Sequence, residues 1–212
     1  MSRFALPLAL LLPVLLLSGC EEEVVCCENP FEDLTEDASF TLPCLSAPVE
    51  VIRTEMGVPH VYGENRVDIA CALGFVQARD RFFQMDLISR NGLGTLAELL
   101  GELGLESDIE IRSRGGAAIA DNMLAAATAE ERAAWDAYAA GINSYIEATR
   151  TNLLPPPKEL ELVYFLLGKE HPSELMFEWT ARSVAGVAAT INFESGFETT
   201  DIRLHQLSLI HI

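Results

Sequence analysis

The stretch "ALGFVQARDRFFQMDLI", residues 72–88, packs acids, bases, amides and aromatics into little more than four helical turns. Whether it is a catalytic helix or a helix that holds other parts in place decides how the chain is read. From just upstream of it, Ile69, Ala70, Leu73, Val76 and Gln77 fall on one side, and Phe83, Leu87 and Ile88 extend the apolar spacing. Arg79, Asp80 and Arg81 flank that stripe. Asp68 stands where a helix cap is expected, and Asn91, Gly92 and Gly94 break the pattern at the far end. Asp80 and Asp86 suggest an acid–base pair, but six positions apart they are turned too far around a helix to converge.

Working outward, "VEVIRTEMGVPHVYGEN" precedes the helix. Val49, Val51 and Thr54 line up on one strand face, Gly57-Val58-Pro59 reads as a turn or bulge, and "HVYG" as a second short strand. After the helix, "TLAELLGELG" reads as a short amphipathic helix with a glycine stop. Thr128 and Glu131 form a capping box, behind which Trp135, Tyr138, Ala139, Ile142 and Ile146 keep one face. Three consecutive prolines in "LLPPPKEL" make a rigid connector. "ELMFEWTARSVAGVAATINF" then reads as one long apolar helix with Ser173 as its cap.

The amino terminus carries a different signal. The apolar run Phe4 to Leu17 would span roughly 21 Å as a helix, short of the roughly 30 Å hydrocarbon core. It reads as a signal peptide over residues 1–19. It ends in Leu17-Ser18-Gly19-Cys20, which resembles a bacterial lipoprotein box, with Cys20 the acylated residue. That places the protein in the bacterial cell envelope, lipid-anchored on the periplasmic or extracellular side. Residues 20–47 are acidic, contain Pro30 and Pro43 with Pro48 directly after, and read as a tether. An exported chain can form disulfides, and Cys26 or Cys27 to Cys44 would pin the tether. Cys71, inside a helical pattern, reads as a small buried apolar residue.

Composition excludes some functions. Asp and Glu outnumber Lys and Arg 32 to 14, a net charge of −18 with no basic stripe, so nucleic acid is not a partner. The four histidines lack metal-ligand spacing, and no GxSxG elbow, phosphate loop or GxGxxG fingerprint is present. "FESGFE" around Ser195 lacks both the preceding glycine and the strand–turn–helix context. No catalytic residue is recognisable in this chain.

The residues from Val49 to Gly101 nevertheless resemble the amino-terminal region of the penicillin acylase family. The resemblance is carried by Gly57, Val58, Pro59 and His60, then by Gly74, Gln77, Ala78, Asp80, Arg81, Gln84, Met85 and Asp86, then by Leu96, Ala97 and Glu98. "AWDAYAAGINSYI" and "LPPPKELELVYF" extend it, so it covers roughly residues 48–200. The resemblance implies an α+β fold: this chain would be the mostly helical A-chain part of an αββα amino-terminal nucleophile hydrolase sandwich, with a short strand pair at its start. It implies a precursor cut into an A chain and a larger B chain, whose first residue attacks the substrate with its own α-amino group as base. The reaction is hydrolysis of a side-chain amide, such as that of a penicillin or an acyl-homoserine lactone. By the same resemblance, Glu198, with Glu194 as competitor, is the A-chain ligand of a structural calcium ion, and no organic cofactor is expected. Asn192 and Phe193 would align with the wall that contacts the acyl group. The 72–88 helix would then be scaffold.

The terminal "LSLIHI" resembles translated sequencing-adaptor read-through, which makes 207–212 a non-native tail and 48–206 the family region of a truncated precursor. The fragment alone is expected to be inactive, its B chain absent. The competing class is a lipid-anchored envelope protein that binds a ligand or serves structurally, without catalysis.

Overall fold

The computed structural model describes residues 38–160, 163 and 171–196. The body treated below begins at Thr41.

Strands β1 (Glu50–Arg53) and β2 (Pro59–Tyr62) pair antiparallel, with Val51 opposite Val61 and Ile52 opposite His60. The turn between them needs Gly57 in the left-handed region at φ 79°, where its N–H donates to Thr54 O at 2.8 Å. The buried strand residue is Ile52, whereas Val51 is exposed. The strand face expected from Val49 and Val51 is therefore the outer one. With a side-chain period of two, the residue that meets the body decides the facing, and that residue is Ile52.

Helix α1 (Arg66–Leu93) is the spine, roughly 42 Å long. Its cap is Asn65, whose side chain accepts from Asp68 N at 2.8 Å. Asp68, expected as the cap, lies a turn in and does another job described below. Asn91 and Gly92 do not end the helix; Gly94 does, left-handed at φ 66°, with its N–H on the carbonyls of Arg90 and Asn91. At Arg81 the helix is kinked, with φ −146°. The buried face runs through Cys71, Phe75, Ala78 and Phe82; of the stripe expected through Ile69, Ala70, Leu73, Val76 and Gln77, Val76 is buried and Gln77 is exposed. Periodicity gave the helix, but glycine placement rotated it, because α1 presents Gly74 to its main partner.

That partner is α5 (Ala129–Arg150), capped by the expected Thr128–Glu131 box. A Cβ on Gly74 would lie 2.1 Å from Tyr138 O, and one on Gly141 1.9 Å from Cys71 O. Backbone meets backbone there, which only glycine permits. Phe82 and Tyr145 pack at a tilt beyond the crossing, ring centroids 6.0 Å apart, with Ile142 and Ile146 fully buried in the same core.

Between these helices come α2 (Ala97–Leu100), α3 (Glu102–Ser113) and α4 (Gly116–Ala126). The single short helix expected from "TLAELLGELG" is thus two, broken at Gly101, whose φ of 61° suits glycine. Asp108 on α3 reaches back and accepts from Leu96 N and Ala97 N at 2.7 and 2.9 Å, capping α2 from outside. The long helix expected from Ser173 is also divided. His171 caps a 3-10 turn over Pro172–Leu175, Met176–Thr180 runs on without helix, and α6 (Ala181–Gly196) follows. Helix α6 packs on α1 and α4.

Cys44 and Cys71 form a disulfide with Cα atoms 6.1 Å apart. Cys71 is thus not a free apolar residue, and Cys44 does not pair with Cys26 or Cys27. Sequence spacing could not distinguish these pairings; the return of the 41–47 segment onto α1 does. Among the described residues, no helix is long and apolar enough to cross a membrane.

Candidate functional site

The carboxyl-terminal end of α6 is where the acyl wall is expected, so what positions α6 positions the site. Its approach segment is held first by Asn143 on α5. The Asn143 amide donates to Trp179 O and accepts from Trp179 N, both at 2.8 Å, imitating a strand pair. Arg150 donates to Met176 O at 3.0 Å. Trp179, Met176 and Leu175 are buried against α5.

An ionic cluster centred on the buried pair Asp86–Arg90 sits beneath this segment. Arg90 Nε donates to Asp86 at 2.7 Å, and the other arm of the guanidinium reaches Glu98 at 3.2 Å. The guanidinium lies 4.6 Å from the centre of the Phe177 ring. Burial pushes the Asp86 carboxyl above the ordinary aspartate range, with Arg90 and a hydrogen bond from Trp179 pulling the other way. The cluster ties α1, α2 and the approach to α6 into one unit.

Along α6 itself, Arg182 grips Asp121 of α4 with Nε at 2.6 Å. Ser89 donates to Ser183 O at 3.0 Å, and Thr190 to Ile88 O at 3.2 Å. A Cβ on Gly92 would meet Gly186 O at 2.1 Å, so α1 and α6 also touch backbone to backbone. The helix is pinned at both ends of this contact and leaves it with Ile191 and Asn192 exposed. A cavity of about 250 Å³ opens one turn earlier, lined by Asn91, Ser107, Ile111, Ile119, Ala189 and Thr190.

Asn192 therefore stands on α6 facing out, and nothing among the described residues closes a pocket over it. Phe193 lies on the same helix; its side chain is outside the description, as are Glu194's side chain and the whole of Glu198 and Cys20. Among the described residues, no three His, Cys, Asp or Glu side chains converge to hold a metal. They do not by themselves make a calcium site. Asp80 and Asp86 do not meet: Asp80 takes both arms of Arg53 at 2.9 Å on the hairpin side, and Asp86 faces Arg90. His60 pairs with Ile52 across the hairpin, and His171 Nδ1 serves Ser173 at the 3-10 turn.

Sequence reasoning missed Asn143 and Asp108, and it named Asp68 and Asp86 without finding what they hold. One signal was available: Asp86 and Arg90 are four apart, an ion-pair spacing on a helix. For Asn143 there was none, since its partner is 36 residues away.

The family described as penicillin amidase matches residues 48–209. The penicillin acylase 2 proenzyme of Pseudomonas sp. (strain SE83) is 40% identical over 132 residues, which are 62% of this chain and 16% of that protein. Penicillin G acylase of Escherichia coli is 33% identical over 123 residues, 55% of this chain and 14% of that one. The acyl-homoserine lactone acylase QuiP of Pseudomonas putida is 31% identical over 153 residues, 71% of this chain and 18% of that one. The chain thus spans about a sixth of the length of these relatives. Among solved structures, a thermostable penicillin G acylase from Alcaligenes faecalis matches with a TM-score of 0.59 and 30% identity, covering 74% of this chain and 80% of that chain.

Proposed function

The chain belongs to the penicillin amidase family, and we propose that it is the A-chain portion of an enzyme that hydrolyses a linear amide, with the nucleophile on a companion B chain. The observation that carries this reading is the contrast in coverage: four-fifths of a chain in the solved penicillin G acylase, but about a sixth of the proenzyme-length relatives. A piece that corresponds to nearly a whole chain in one protein and to a fraction of another fits a precursor divided in two. The hairpin supports it. A two-stranded sheet is marginal alone, and β1 and β2 pair only with each other among the described residues.

In the assembled enzyme the attacking group is the first residue of the B chain, activated by its own α-amino group. This chain's residues orient and enclose. Asn143, the Arg90 cluster and the Arg182–Asp121 pair hold α6 so that Asn192 and Phe193 form one wall of the acyl pocket. Glu198 is proposed as this chain's ligand to a structural calcium ion, a carboxylate being the donor type that cation takes. The substrate is a small linear amide, in the range from penicillins to acyl-homoserine lactones. The test is to assay amide hydrolysis by this chain with and without a B chain from the same precursor, and to measure bound calcium in the pair. Turnover and calcium should require both chains, and Glu198→Ala should lower retained calcium. Turnover by the chain alone would overturn the division of labour; unchanged calcium would remove Glu198.

A further inference from the structure

We propose that the Cys44–Cys71 bridge is an oxidation-closed latch, which locks residues 44–47 onto the amino-terminal part of α1 once the chain has left a reducing compartment. This stands apart from the amidase reading.

Two independent holds converge on the same segment. The first is the disulfide, whose ends are separated by 27 positions in the sequence. The second is Asp68. Its carboxylate accepts from Ser46 N and Ser46 Oγ at 2.8 Å and from Ala47 N at 3.0 Å, while Asn65 Nδ2 donates to it at 2.5 Å. Leu42 is buried, and Leu45 N turns back onto Leu42 O at 3.2 Å. The segment therefore folds onto the helix by contacts that need no bridge, and those contacts bring Cys44 to Cys71.

The place of attachment also matters. Cys71 is fully buried, and its carbonyl is the atom that Gly141 approaches at the α1–α5 crossing. The bridge thus bolts the segment to a place where two helix backbones touch. Cys44 is partly exposed and Cys71 is not. That asymmetry sets the order of chemistry. The Cys44 thiolate attacks a disulfide-bearing oxidant, a small disulfide or a protein oxidant, and releases one of its sulfurs as a thiolate. The Cys71 thiolate then attacks Cys44 of the mixed disulfide, forming the 44–71 bond and releasing the second sulfur. Two thiols of this chain lose two protons and two electrons, and the oxidant's disulfide becomes two thiols. In a compartment rich in reduced thiols the balance runs the other way, and the latch stays open.

The experiment uses the full chain within its precursor. It is equilibrated in glutathione disulfide or in dithiothreitol, alkylated, digested without reduction and mapped by mass spectrometry. The oxidised sample should give a linked Cys44–Cys71 peptide pair, and the reduced sample two alkylated cysteines. Limited proteolysis between residues 41 and 48 should rise at least tenfold on reduction. Cys44→Ser should be cleaved at that higher rate in both buffers, and Asp68→Asn should re-form the bridge several-fold more slowly. Linkage of Cys44 to Cys26 or Cys27 in the oxidised wild type would overturn the proposal. So would cleavage that ignores reduction, or redox-dependent protection that persists in Cys44→Ser. An unchanged rate of closure in Asp68→Asn would remove the carboxylate as the guide.

Discussion

At Gly141 the α1–α5 crossing has room for a hydrogen atom and nothing larger. A methyl there would sit 1.9 Å from Cys71 O, a backbone atom that cannot swing aside. Gly141→Ala should lower stability by roughly 3 kcal/mol, the upper end of ordinary overpacking, read as a lower unfolding midpoint of the assembled protein. Two carboxylates titrate with opposite sign. The backbone N–H of Ser46, with further hydrogen bonds from Ser46, Asn65 and Ala47, holds Asp68 below its ordinary value of 3.8. A lowered folded value means that the unfolded chain takes up the proton first. Asp68 therefore stabilises fully above pH 3.8 and loses that contribution as pH falls through its depressed folded value. Asp86 behaves conversely: its folded value is raised above 3.8, so its contribution declines as pH rises from there through the raised value. The stability gap between wild type and Asp68→Asn should be constant at neutral pH and shrink in strong acid. A gap that widened on acidification would contradict the assignment.

Among the elements, α6 depends on an anchor outside itself. The Asn143 amide satisfies both backbone groups of Trp179, and Asn143→Ala leaves those groups unpaired beside a buried indole. The expected cost is about 2 kcal/mol. The sharper readout is local: amide exchange should accelerate across 176–182 while the middle of α5 stays protected. Equal acceleration everywhere would mean that Asn143 supports the fold in general and not α6 in particular. Helix α5 was legible because its capping box and apolar face are written in adjacent residues. Helices α3 and α4 were not. Gly115, at φ 80°, reverses the chain between them, and a Gly-Gly pair looks like a breaker until the reversal it makes is seen.

At the scale of the whole molecule, the described body is only part of the chain, and the amino-terminal reading concerns the rest. Acylation of Cys20 predicts that the protein fractionates with membranes and that Cys20→Ala, which carries no lipid and loses the cut before residue 20, changes its fractionation or its mass. A variant that stays membrane-bound at unchanged mass would sink the lipoprotein reading. The sequence by itself determined the helical elements with strong periodicity, the hairpin, the capping box and the family, since all of these rest on residues near one another or on a contiguous run of matches. The tertiary structure alone decided which face of α1 is buried, which cysteine Cys44 meets, and what Asp68, Asn143 and Arg90 hold. The reason is physical. Those outcomes depend on where two backbones can touch, and that is set by glycines on different helices, Gly74 opposite Tyr138 and Gly141 opposite Cys71, whose juxtaposition no single stretch of sequence contains.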